Sequence, residues 1–173
     1  MTKQSEQKIN QIKKIIQQEC KNSKDNFIRD YFFAKHLLAV EKFAKKLLRH
    51  FPQANDEIVM LGVWLHDLQR IRSIKGDHQK MGAKEAEKVM REFKYDKKII
   101  NKVKNIILTH NAYGGNIPKT LEGKILACAD AMTHYYNDFF LDYFKNKNVS
   151  LSEFKNWSLE KLNRNYSKKI VNP

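Results

Sequence analysis

The chain has little of what punctuates loops and sheets. Only 3 of its 173 residues are proline and 6 are glycine, which argues against a strand-and-turn architecture and in favour of helices. There are 2 cysteines, Cys20 and Cys128. They lie far apart and no CxxC pair exists, so neither a disulfide framework nor a zinc knuckle is expected. Reduced thiols of this kind fit a cytoplasmic protein. Long apolar runs are missing too. The longest, Ile58 to Leu65, is far too short to span a bilayer, so no membrane association is expected. The segment Met1 to Gln18 is polar and Lys-rich, unlike a secretory signal.

What is present is charge of one sign. The formal net charge is +14, which favours anionic partners: nucleotides, other phosphorylated small molecules or nucleic acid. The lysines are spread over every segment rather than gathered in one patch. A general composition effect is therefore favoured over nucleic-acid binding. The apolar fraction of 42% is ordinary for a folded protein and excludes disorder.

Almost every segment carries the helical period. Ile9, Ile12, Ile16 and Cys20 predict a first helix over residues 4–22, and Phe32, Phe33, Val40, Phe43 and Leu47 a second over 27–50, ended by His50-Phe51-Pro52. Asn55 or Asp56 can cap a third that runs through Leu61 and Leu65 to His66-Asp67. A fourth is expected over 79–94, and a fifth from Asp96 to His110. The run 111–118, with Gly114 and Gly115, is the clearest irregular loop. Thr120 can cap a long sixth helix that continues into the aromatic stretch Tyr135 to Phe144. A last helix is expected over 151–166. With no repeat or composition break, the expectation is an all-α bundle of six to seven helices forming one domain over 1–173. Its core covers 27–147, with the terminal helices packed on it.

The histidines are placed with a pattern. His36 lies on the apolar stripe of the second helix. His66 falls four residues after Gly62, and His110 four after Ile106. Asp130 sits inside the apolar run Ile125 to Met132, four residues after Leu126. A lone inward histidine is usually a satisfied core residue. Three on three helices, with an inward carboxylate and a His66-Asp67 pair, point instead to a shared polar site, because an ionised carboxylate among apolar residues is costly unless paired or bound to metal. Imidazole with carboxylate suits Mn, Fe, Zn, Ni or Co, and Mg suits the carboxylates.

The order His36, Leu65-His66-Asp67-Leu68 and Asp130 within Leu-Ala-Cys-Ala-Asp-Ala resembles the HD superfamily of metal-dependent phosphohydrolases over roughly residues 30–135. Asp77-His78 before Met81-Gly82-Ala83, and Ile106 to His110, resemble further stretches of its small stand-alone members. The resemblance implies an all-α HD domain and one or two divalent ions. It implies His36, His66, Asp67 and Asp130 as ligands of the first ion. His78 and His110 become ligands of a second ion or contacts to phosphate. Asp67, His110 and Arg70 would be catalytic, with Arg70, Arg72 and Lys75 at the substrate phosphate. His134, one turn after Asp130, would support the site from behind, and His50 is read as structural.

Gln69-Arg70-Ile71-Arg72 stands where guanosine-tetraphosphate hydrolases of this superfamily have an acidic pair, which argues against that activity. Two alternatives stay open: a di-iron oxygenase with the same ligand order, and a non-catalytic binding module that keeps the metal as structure. The aromatic stretch 135–144 reads as core, with a homodimer face or a base-stacking wall as its alternatives.

Overall fold

The computed structural model describes residues 1–113, 115–147 and 149–171. Gly114, part of the loop expected between the fifth and sixth helices, lies outside the described residues. The elements are α1 (Lys3–Lys21), a π-helical stretch (Ile28–Leu37) that runs directly into α2 (Leu38–His50), α3 (Asp56–Leu65), the single turn α4 (Leu68–Ile71), α5 (His78–Glu92), α6 (Lys97–Thr109), α7 (Leu121–Thr133), α8 (Phe139–Asn146) and α9 (Leu151–Lys169). Among the described residues there is no strand, and no helix is long and apolar enough to cross a membrane.

The bundle holds more helices than the six to seven expected. The sixth was expected to continue from Thr120 through the aromatic stretch, but it ends at Thr133 and restarts at Phe139. Asn137 makes the break. Its side-chain amide donates to the Lys35 carbonyl at 2.7 Å, and its side-chain oxygen accepts from the Phe139 N–H at 3.0 Å. An Asn that bonds nearby backbone in this way competes with the helical ladder.

Side-chain caps define most helix starts. Thr2, Asn55, Asp77, Asp96 and Thr120 each accept a backbone N–H of the first turn, and Ser150 forms a reciprocal capping box with Glu153. Every residue of α3 from Ile58 to Leu65 is buried. A helix apolar all round belongs in the centre, and α3 packs there against α1, α2, α6 and α7. Gly62 lets α6 come close: a Cβ there would sit 2.6 Å from Ile106 Cδ1. Gly82 does the same for α5, since its Cβ would lie 3.1 Å from the His66 carbonyl oxygen. The end of α3, the start of α5 and the end of α6 are thereby drawn together.

In the π-helical stretch the backbone bonds skip one residue further than in an α-helix, as with Leu38 N–H to Phe33 O. Burial follows suit: Ile28, Phe32, His36 and Leu37 point inward, a spacing of four to five residues. The wide turns place His36 against Phe139, with ring centroids 5.0 Å apart and nearly parallel.

Candidate metal centre

His66 is the cap residue that closes α3, and Asp67 starts the next turn, so the pair sits where the central helix stops. His36, His66, Asp67, His110 and Asp130 are all buried. His36, His66 and Asp67 offer donor atoms that lie within 4.8 Å of one another, and so do Asp67, His78 and His110. Asp67 belongs to both groups, one oxygen to each side: Oδ2 is 3.1 Å from His36 Nε2 and 3.4 Å from His66 Nε2, while Oδ1 is 3.0 Å from His78 Nε2.

Hydrogen bonds behind the rings orient them. The Nδ1 of His66 faces the Val63 carbonyl at 3.0 Å, and that of His110 the Ile107 carbonyl at 2.6 Å. A carbonyl only accepts, so both Nδ1 atoms carry a proton, and in the neutral ring Nε2 is the atom that holds the lone pair. Gln69 donates its amide N–H to the Ile74 carbonyl, which turns its oxygen toward His78 Nδ1 at 2.9 Å. Thr133 donates its single hydroxyl proton to the Asp130 carbonyl at 2.7 Å, so it accepts from His36 Nδ1 at 3.3 Å. Four imidazoles thus turn their Nε2 atoms toward one carboxylate, to which a ring can donate a proton or beside which it can offer a lone pair to a metal. Such second partners fix the tautomer of metal-binding histidines, and this donor set suits a divalent metal.

Burial alone would push the Asp67 carboxyl up, but the charge on His66 and bonds from His36, His66 and His78 hold it well below the usual range. Burial, joined by the neighbouring His66, pushes His110 down to about 3, so His110 is neutral near pH 7.

Asp130 stands outside both groups of donor atoms. Its Oδ1 lies 3.8 Å from His36 Nε2 and 3.6 Å from His134 Nε2, while Oδ2 accepts from the Lys169 ammonium at 3.0 Å. Burial raises its pKa, but Lys169 and the histidines around it keep it well below the usual carboxylate value. His134 points at Asp130, and its other ring nitrogen faces the Asn165 amide at 3.1 Å.

A cavity of about 590 Å³ opens over this cluster. Its floor is His36, Asp67, His78, His110 and Asp130, and Arg70 lines it as well, with Nε 3.5 Å from Asp67 Oδ1. Two residues expected at a substrate phosphate are elsewhere. Arg72 binds Glu19 and Glu85 at 2.7 Å each and is not among the lining residues. Those carboxylates engage all three of its side-chain nitrogens. Lys75 is exposed on the loop and does not line the cavity either. His50 ends α2, away from the cavity.

The opposite wall is α9, which contributes Trp157, Lys161 and Arg164. Sequence reasoning missed this helix's role. Trp157, Lys161, Asn165 and Lys169 recur every four residues, so a polar stripe was visible at helical spacing. Leu159, Leu162 and Tyr166, on the other side, are exposed.

The description HD domain belongs to the family model that matches residues 33–134, more than half of the 173 residues. The chain belongs to the HD-domain family. Its fold is similar to the crystal structure of a predicted HD superfamily hydrolase from an uncultured Thermotogales bacterium. That likeness has a TM-score of 0.62 at 18% identity and covers 91% of each chain. No curated protein matches this chain.

Proposed function

We propose that the protein is a metal-dependent phosphohydrolase acting on a small phosphoester, with a nucleotide as the favoured class. The observation that carries this reading is Asp67, whose two carboxylate oxygens each face a separate group of imidazole Nε2 atoms. His36, His66 and Asp67 would hold one divalent ion, with Asp130 alongside, and Asp67, His78 and His110 a second. Mn, Fe, Ni, Co, Zn and Mg are the candidates. Such an ion supplies Lewis acidity and a water acidic enough to attack near neutral pH.

The chain's own groups do the rest. Asp67 orients the donors around it. Arg70, at the cavity wall, is placed to offset charge that develops on phosphoryl oxygens. His110, neutral near pH 7, suits a ligand role better than that of a proton donor. The reaction forms a bond from water oxygen to phosphorus, breaks the phosphorus–oxygen ester bond, and delivers the proton to the departing oxygen.

The test is phosphate release from a panel of nucleotides and phosphoesters by protein loaded with each metal in turn. Turnover is expected with at least one substrate, and Asp67→Asn should abolish it while leaving the helical circular-dichroism signal intact. Wild-type turnover in Asp67→Asn sinks the reading. Oxygen consumption by the iron-loaded protein, with phosphoesters untouched, replaces it with a di-iron oxygenase. Bound metal with neither activity leaves a binding module.

A further inference from the structure

The buried Lys169 and the half-buried Arg72 both have anionic partners. Lys169 is bonded to Asp130, and Arg72 to Glu19 and Glu85. Lys161 is only 8% exposed, yet among the described residues no carboxylate lies within ion-pair distance and no hydrogen bond is made by its ammonium. It rests against the rings of Phe140 and Trp157, 5.4 and 5.3 Å from their centroids. One turn on, Arg164 also has a buried polar atom without a partner, its Nε. Both side chains line the cavity above the histidine–aspartate cluster. A cation largely shielded from water without a counter-ion is costly, so Lys161, with the half-buried Arg164 beside it on the same wall, marks a place where a ligand brings the negative charge.

We propose that Lys161 and Arg164 of α9 form a second anion subsite, so that the substrate carries a further phosphate beyond the one hydrolysed at the metal centre, as nucleoside di- and triphosphates do. The cavity's two walls divide the work. The carboxylate and imidazoles on the floor suit a cation and, through it, one phosphoryl group. The α9 wall, with no acidic residue among those lining it, suits phosphate oxygens directly, and Arg164 can bind them through two donors at once. At about 590 Å³ the cavity falls in the range of small-ligand sites. The aromatic faces of Phe140 and Trp157 border the subsite.

This inference rests on the phosphohydrolase reading, but binding tests it without turnover. Calorimetric titration of the full chain, loaded with Mn, would compare inorganic tripolyphosphate with orthophosphate. The wild type is expected to prefer tripolyphosphate, and Lys161→Met or Arg164→Gln should weaken tripolyphosphate binding by about tenfold or more with metal content unchanged. Lys161→Arg, which keeps the charge, should retain most of it. Chelation of metal by the probe is the same for every variant, so the ratio between proteins is the readout. Equal affinity for the two anions in the wild type, or a Lys161→Met variant of wild-type preference, overturns the subsite. If phosphomonoesters are hydrolysed but the preference is absent, the subsite fails while the enzyme reading stands. If the preference is present but no phosphoester turns over, the reverse holds.

Discussion

Lys169 places its ammonium 3.0 Å from Asp130 Oδ2, with both side chains almost fully removed from solvent. The cation at the end of α9 thereby neutralises a carboxylate that the sequence pattern marks for metal.

Breaking this pair should show which positive charges Asp130 depends on. Lys169→Met leaves a buried carboxylate with less compensation, at a cost of about 3–5 kcal/mol when nothing replaces the lost partner. A divalent ion in the neighbouring cluster restores part of that charge. The melting temperature of the variant should therefore fall further below wild type in EDTA than with Mn present. Equal losses in the two conditions would mean that metal and Asp130 do not interact.

Acid should unfold the metal-free protein through its buried neutral histidines. Burial and the neighbouring His66 place His110 at about 3 in the folded state, against about 6.5 for an unperturbed histidine. A depressed pKa means that the unfolded state binds the proton first. The stability held above pH 6.5 is therefore lost as pH falls toward 3. His110→Gln removes this titration. Urea unfolding in EDTA should show wild type losing more stability than the variant between pH 7 and pH 4. Parallel loss in both proteins would contradict the assignment.

Gly82→Ala tests the positioning of the centre without touching a donor. Its Cβ would meet the His66 carbonyl at 3.1 Å, and backbone cannot step aside as a flexible side chain can. Strain of about 1–3 kcal/mol is expected, reduced by up to about 1 kcal/mol of helix preference. Chelator competition should show weaker Mn binding. Unchanged Mn affinity together with an unchanged melting temperature would show that α5 adapts freely.

Arg70 is about half exposed, with Nε 3.5 Å from Asp67, so its pairing there contributes little to stability. Its effect should appear in kinetics. With a substrate from the phosphoester panel, Arg70→Ala should raise KM more than it lowers kcat if the contact is equal in ground and transition states. A drop in kcat at constant KM would place the contact in the transition state alone.

Much of this was legible in the chain. Helical period and cap residues placed α1, the helix through His50 and the starts of α6 and α7 within a residue or so, because each rests on local chemistry: the stripe from Ile9 to Cys20, and the side chains of Asp96 and Thr120, which bond the turn that follows them. That His36, His66, His110 and Asp130 face inward was legible because polar groups on apolar stripes need a reason, whereas His78 was singled out only by the resemblance to HD proteins. What escaped depends on long-range contacts. The break at Asn137 needs the Lys35 carbonyl, 102 residues earlier. Arg72 looked like a phosphate ligand because Glu19, which holds it, lies 53 residues away. The π-helical stretch hid behind an apolar pattern that α and π geometry both satisfy in part. The role of α9 escaped because the helix inverts the usual amphipathic pattern, with Leu159 and Leu162 exposed and Lys161 and Lys169 buried.

That inversion sets how α9 is held. No α9 side chain belongs to the apolar core among the described residues. The helix attaches through Lys169 to Asp130, Asn165 to His134, the Tyr135 hydroxyl to the Ser158 carbonyl, and the rings of Phe154 and Trp157 against α8. Polar contacts exchange for water at small net cost, whereas parting the core would expose many apolar side chains at once. Local opening therefore has a natural first unit: α9 swings off while α1 to α7 keep their packing, and amide exchange runs fastest along the one helix that roofs the cavity.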